Sequence, residues 1–215
     1  MYGLLCKNTL KGMVLLFCVP WLLLGCGDFD KQYGAGGAAD SGSLLNVERV
    51  IPNYFDEETN QVDVVQDNCA APGDDPEPED FSDTYAEIKM TNRPLPNATG
   101  KPPRIYLTSY EIHFTPGTQG TAPLLSFSEV PITETVGIEG CEPDSSCPEV
   151  SFMAKFVPLR EKQVLYQYLV DNPAVYQLEY NVHYIFYGEN DFGYPVSADG
   201  FSYFYALDYN NCSGG

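Results

Sequence analysis

Tyr176-Gln177-Leu178-Glu179-Tyr180-Asn181-Val182-His183-Tyr184-Ile185-Phe186 alternates large apolar side chains with mostly polar ones. Successive side chains of an extended strand point to opposite faces, whereas a helix returns to one face about every 3.6 residues. The run therefore reads as a strand with Tyr176, Leu178, Tyr180, Val182, Tyr184 and Phe186 on the core side and Gln177, Glu179, Asn181 and His183 on the wet side. Gly188-Glu189-Asn190-Asp191-Phe192-Gly193 follows with turn chemistry, and Val196 to Leu207 resumes with Phe201, Tyr203, Tyr205 and Leu207 sharing one side, taken as the core side. Strand, turn and strand make a hairpin. On this reading Phe204 and Tyr187 are the aromatics left pointing outward.

The same period recurs upstream. Tyr106, Thr108, Tyr110, Ile112 and Phe114 share a face opposite Ser109, Glu111 and His113, and Val150, Phe152, Ala154 and Phe156 share another. Val62–Gln66, Tyr85–Thr91 and Leu124–Val130 bring the total to about seven strands of sandwich length, joined by loops rich in Pro and Gly. One helix is expected over Leu159 to Leu169, with Leu165, Tyr168 and Leu169 on one face, ending before Asp171-Asn172-Pro173. The expected fold is all-β, an antiparallel sandwich of about seven strands with one short connecting helix. From residue 60 to the end the pattern resembles bacterial immunoglobulin-like or fibronectin type III-like domains.

The amino terminus is built differently. Lys7 and Lys11 precede an apolar run of 12 residues, Met13 to Leu24, and Leu23-Leu24-Gly25-Cys26 follows. Positive, apolar and small-residue zones in that order are the layout of a secretory signal. Twelve residues span roughly 18 Å as a helix, short of the roughly 30 Å hydrocarbon core, and Pro20 disfavours a permanent span. The tetrapeptide resembles the lipobox of bacterial lipoproteins, and this resemblance covers residues 1–26. It implies cleavage before Cys26, a diacylglyceryl thioether on its sulfur and an acylated amino group. Each buried methylene contributes roughly 0.8 kcal/mol, so three chains hold the protein on a membrane. Gly27 stands where an aspartate would signal inner-membrane retention, so the expected location is the outer membrane.

The expected organisation is a signal at 1–25, a flexible tether at 26–48 and a sandwich domain at 49–215. The tether reading rests on Gly27 to Leu45, rich in Gly, Ala and Ser; an acidic, proline-spaced loop at 70–83 carries Asp74, Asp75, Glu77, Glu79, Asp80 and Asp83. Lys7 and Lys11 are the only charged residues before Cys26, which leaves 9 basic against 30 acidic side chains, a formal charge of −21. Such a surface repels phosphate backbones and anionic head groups, which excludes nucleic acid as a partner. The expected partners are the membrane, through the lipid, and an envelope protein or polysaccharide.

Four cysteines remain after Cys6, Cys18 and Cys26 are set aside: Cys69, Cys141, Cys147 and Cys212. An even number in an oxidising compartment implies disulfides. Cys141 with Cys147 is favoured because a six-position turn keeps them near, leaving Cys69 for Cys212. No C-x-x-C spacing or neighbouring histidine supports a thiolate metal site.

Candidates for chemistry are few. His113 and His183 are the only histidines, on polar strand faces beside Glu111 and Glu179, and no G-x-S-x-G elbow accompanies them. No catalytic residue is assigned, and no cofactor beyond the lipid. Calcium, which takes six to eight oxygens, has weak candidates in Glu189, Asn190 and Asp191 and in the 70–83 loop, neither following the D-x-D-x-D-G pattern. The expected function is a non-enzymatic binding or structural module of the cell envelope. Two alternatives remain open. A polysaccharide-binding module predicts a patch of exposed tyrosines with a polar rim. An unrecognised hydrolase predicts a cleft with carboxylates about 5–10 Å apart.

Overall fold

The computed structural model describes residues 42–208 except 55–56, 67, 70–76, 79–80, 97, 118–121 and 127. In chain order the elements are β1 (Ser43–Tyr54), β2 (Glu57–Glu58), β3 (Gln61–Asp63), β4 (Asn68–Cys69), β5 (Glu77–Pro78), β6 (Thr84–Pro94), β7 (Ile105–Pro116), β8 (Ser128–Ile138), β9 (Val150–Val157), α1 (Leu159–Asp171), β10 (Gln177–Asn190) and β11 (Pro195–Leu207).

Two sheets form the sandwich. One runs β2-β1-β6-β9 and the other β3-β11-β10-β7-β8, while β4 and β5 make a short ribbon. Neighbours are antiparallel except β3 against β11. If the seven long strands are lettered A, B, C, C′, E, F and G, the sheets read A-B-E and G-F-C-C′, the order of immunoglobulin-like sandwiches. The position beside E, which strand D fills in constant-type domains, has no strand among the described residues.

Ile88, Met90, Ala154 and Phe156 from the first sheet meet Ile112, Tyr180, Val182, Tyr184, Phe186 and Phe204 from the second, all essentially buried. The buried tyrosine hydroxyls find backbone partners. Tyr184 donates to the Lys155 carbonyl at 2.7 Å, Tyr180 donates to that of Pro123 at 2.6 Å, and the Lys155 N–H donates to the Tyr110 oxygen at 2.8 Å. Burial pushes the Tyr184 phenol well above its ordinary pKa, because a phenolate there would lose its water.

The hairpin β10–β11 and the core face of β9 match the sequence reading, and α1 buries Leu165 as expected. The helix runs to Asp171, two residues longer, and also buries Glu161 and Lys162. Glu161 accepts the Ser126 N–H at 3.1 Å, and the Lys162 ammonium lies 5.0 Å from the Phe81 ring centre.

Several expectations are corrected. β1 begins at Ser43, inside the stretch expected as tether. A bulge between Val47 and Arg49 breaks its alternation, which hides it from a period-two reading. β8 lies at Ser128–Ile138 rather than 124–130, and the acidic loop contains β5. Thr108 is a bulge in β7, so Ile105 and Leu107 take the core positions expected for Tyr106 and Thr108. Tyr176 lies outside β10 and is exposed.

The largest correction is β11. Its core face is Val196, Ala198, Gly200, Phe204 and Ala206, and Phe201, Tyr203 and Tyr205 stand on the outer face. A Cβ on Gly200 would lie 3.1 Å from Val47 Cγ1 and 3.2 Å from Val50 Cγ2. With β1 packed that close, only small side chains fit on this stretch of β11, so the large rings at 201 and 203 face solvent.

Cys141 and Cys147 form the expected disulfide, with Cα atoms 4.9 Å apart. Cys26, Cys212 and the Cys69 side chain lie outside the described residues, as do residues 1–25.

Candidate functional site

The outer face of the β11-β10-β7 sheet gathers the chemistry. Register places His113 directly opposite His183 and His183 directly opposite Phe201, so the three side chains form one row across three strands. The next row runs Glu129, Glu111, Ile185 and Asp199. A third holds Thr115, Asn181 and Tyr203. Antiparallel pairing fixes these neighbours because directly opposed residues project to the same side of a sheet.

Within this lattice each imidazole is held by a carboxylate. His113 Nε2 lies 2.9 Å from Glu111 Oε2, and His183 Nε2 lies 2.6 Å from Asp199 Oδ1. Tyr187 donates its hydroxyl to the other oxygen of Glu111 at 3.1 Å. Burial together with Glu111, Glu129 and Asp199 raises the Tyr187 pKa, a sign that negative potential collects here. The imidazoles stand 5.9 Å apart between ring centres, and His183 stacks parallel on Phe201 at 4.6 Å. Phe201 is 69% exposed and Tyr203 44%, and Tyr203 meets Tyr205 edge to face at 5.6 Å.

Sequence reading placed both histidines on the wet faces, beside Glu111 and Glu179, and the structure bears out the faces; Glu111 is the carboxylate that meets His113. The carboxylate that meets His183 is not Glu179 but Asp199 on the neighbouring strand. Phe201 and Tyr203 were assigned to the core, and Phe204, offered as an outward aromatic, is fully buried. The signal that could have reversed these assignments is the small set Ala198, Gly200 and Ala206 on alternate positions of β11.

The calcium candidates do not converge. Asn190 turns its side-chain oxygen onto the N–H groups of Phe192 and Tyr194, both at 3.0 Å, and Asp191 accepts the Arg104 N–H at 3.2 Å. Among the described residues no group of three or more His, Cys, Asp or Glu side chains is arranged to hold a metal ion. The acidic cluster at 74–80 falls outside the described side chains.

An open groove of about 830 Å³ separates the edge strands β8 and β9. Tyr85, Tyr110 and Lys155 line it beside apolar residues of both edges. Its Lys155 pairs with Asp83 at 2.6 Å.

Comparison with protein-family models, with curated proteins and with solved structures finds no match to this chain.

Proposed function

We propose that this chain is a non-enzymatic binding module of the cell envelope, held on the outer membrane by lipid on Cys26, and that the outer face of the five-stranded sheet is its binding surface. The observation that carries the reading is the exposure of Phe201 and Tyr203 beside the His113–His183 pair, on a face whose side chains the core does not use. Water around large rings is displaced at a gain of about 25 cal/mol per Å² of apolar surface covered, so such rings favour a partner. A purely structural face has no need of them.

The ligand class the surface supports best is an uncharged or cationic polysaccharide. Aromatic rings pack against the C–H faces of sugars, and the carboxylates and imidazoles around them accept from and donate to hydroxyls. Glu129, Glu111 and Asp199, on a chain of formal charge −19, repel anionic polymers.

The test is retention of the full chain on insoluble neutral glucans, on chitosan and on an anionic polymer, with Phe201→Ala and Tyr203→Ala as variants. Binding to the neutral or cationic material that drops at least tenfold in both variants supports the reading. Equal binding by the variants, or release of soluble sugar during the assay, rejects it. The anchor is tested separately by the intact mass of the membrane-extracted protein, which should begin at an acylated Cys26.

A further inference from the structure

We propose that the outer edge of β9 receives an extended, basic segment of a different protein, which pairs with Ser151 and Met153 as an added strand and seats alternate side chains in the groove between the sheets. The Lys155 N–H and C=O bond the Tyr110 and Tyr184 hydroxyls rather than a strand, so they are turned away from β6. Backbone groups of a strand alternate in direction, so those of Met153 and Ser151 face the same way, toward the outer edge. Among the described residues no strand pairs with that edge.

The other sheet edges carry features that resist strand addition. β2 and β3 are two and three residues long, and the outer edge of β1, which β2 covers only at Asn53 and Tyr54, is broken by the bulge between Val47 and Arg49 and by Pro52. β8 carries Pro131, Glu129 and Glu134, and its residues Ile132 to Thr135 leave the ladder, with Val136 and Pro131 pairing β7 on either side. From Val150 to Ala154, β9 keeps an unbroken register with β6 and has no proline and no charged side chain.

A strand laid there would occupy the D position of a constant-type sandwich. Every second side chain would then point between the sheets, where Val130, Ile132, Val136, Val150 and Phe152 are only partly buried around the 830 Å³ groove. Charge selects the occupant. Glu134 lines the groove, Lys155 is already paired with Asp83, and Lys89 with Glu149 at 3.5 Å. A second copy would bring its own charge of −19 against this one, so a basic strand of another protein is the complementary partner.

The test is amide hydrogen exchange on the full chain, disulfide intact, with an eight-residue peptide alternating lysine and valine and with its glutamate and valine counterpart. The lysine peptide should slow exchange at the Ser151 and Met153 amides at least tenfold, and the glutamate peptide should not. Met153→Pro removes one outward N–H without touching the β6 ladder and should abolish binding. Ile132→Ser, which removes apolar surface from the groove and leaves its charge and β9 unchanged, should weaken it at least tenfold, while Phe201→Ala should bind as the parent does. Failure of the lysine peptide to slow these amides overturns the proposal, as does binding by Met153→Pro and Ile132→Ser equal to the parent's. Slow exchange at both amides in the peptide-free monomer, or self-association that slows them, also overturns it.

Discussion

His113 and His183 face each other across the β7–β10 ladder with ring centres 5.9 Å apart, each tied to a carboxylate from a different strand position. Glu111 lies two residues before His113 on its own strand, and Asp199 reaches His183 from β11. The arrangement holds two rings upright on an open face beside Phe201. Truncating Phe201 should therefore separate binding from folding. Phe201→Ala is expected to change unfolding free energy by about 0.5 kcal/mol or less, as for exposed sites, while ligand retention falls tenfold or more. Urea unfolding of the variant checks the first half, and a loss well above that value would return Phe201 to a structural role.

Asp83 links β6, β9 and α1. It pairs with Lys155 and accepts the Leu159 N–H at 2.7 Å at the start of the helix. Burial raises its pKa, but Lys155, the Leu159 amide and Lys162 outweigh that and hold the carboxyl below its ordinary value. A depressed carboxyl pKa contributes stability that is present above the unfolded value, about 3.9, and is lost as pH falls through the folded one. Acid unfolding of the parent should steepen below about pH 4, and Asp83→Asn should flatten that limb. The Lys155 ammonium, raised chiefly by its bond to Asp83, gives the reverse dependence at high pH.

Tyr184 shows the same linkage on the alkaline side. Its folded pKa is raised by burial and by Tyr110, so its contribution is complete below the unfolded value of about 10 and is lost as pH rises through the folded one. Tyrosinate absorbance from Tyr184 should therefore rise only together with unfolding. Tyr184→Phe leaves the Lys155 carbonyl without its donor and should cost about 1–3 kcal/mol at neutral pH.

Gly200 sits against Val47 and Val50. Gly200→Ala should destabilise by about 1–3 kcal/mol through overpacking and shift the midpoint of thermal unfolding downward. Ala at the half-buried Ser197, on the outer face of β11, would serve as the neutral control.

Much of the fold was legible because alternation survives wherever one face of a strand is buried. The core positions of β9 and β10, the connecting helix and the Cys141–Cys147 bridge all follow from local order. β1 was illegible because its bulge shifts the parity of the pattern midway, and the start of β7 was misread for the same reason at Thr108. The face of β11 was ambiguous on different grounds. Both of its sides carry aromatics, so periodicity alone assigns neither to the core.

Composition and spacing by themselves determined an acidic, all-β chain with a short local disulfide and two histidines on wet strand faces, because these depend on neighbours a few residues away. Only the tertiary structure decided that His113 meets His183, that Asp199 rather than Glu179 holds the second ring, and that Phe201 and Tyr203 face solvent. Those outcomes depend on register between strands distant in sequence and on how closely β1 approaches Gly200, and no local pattern encodes either distance.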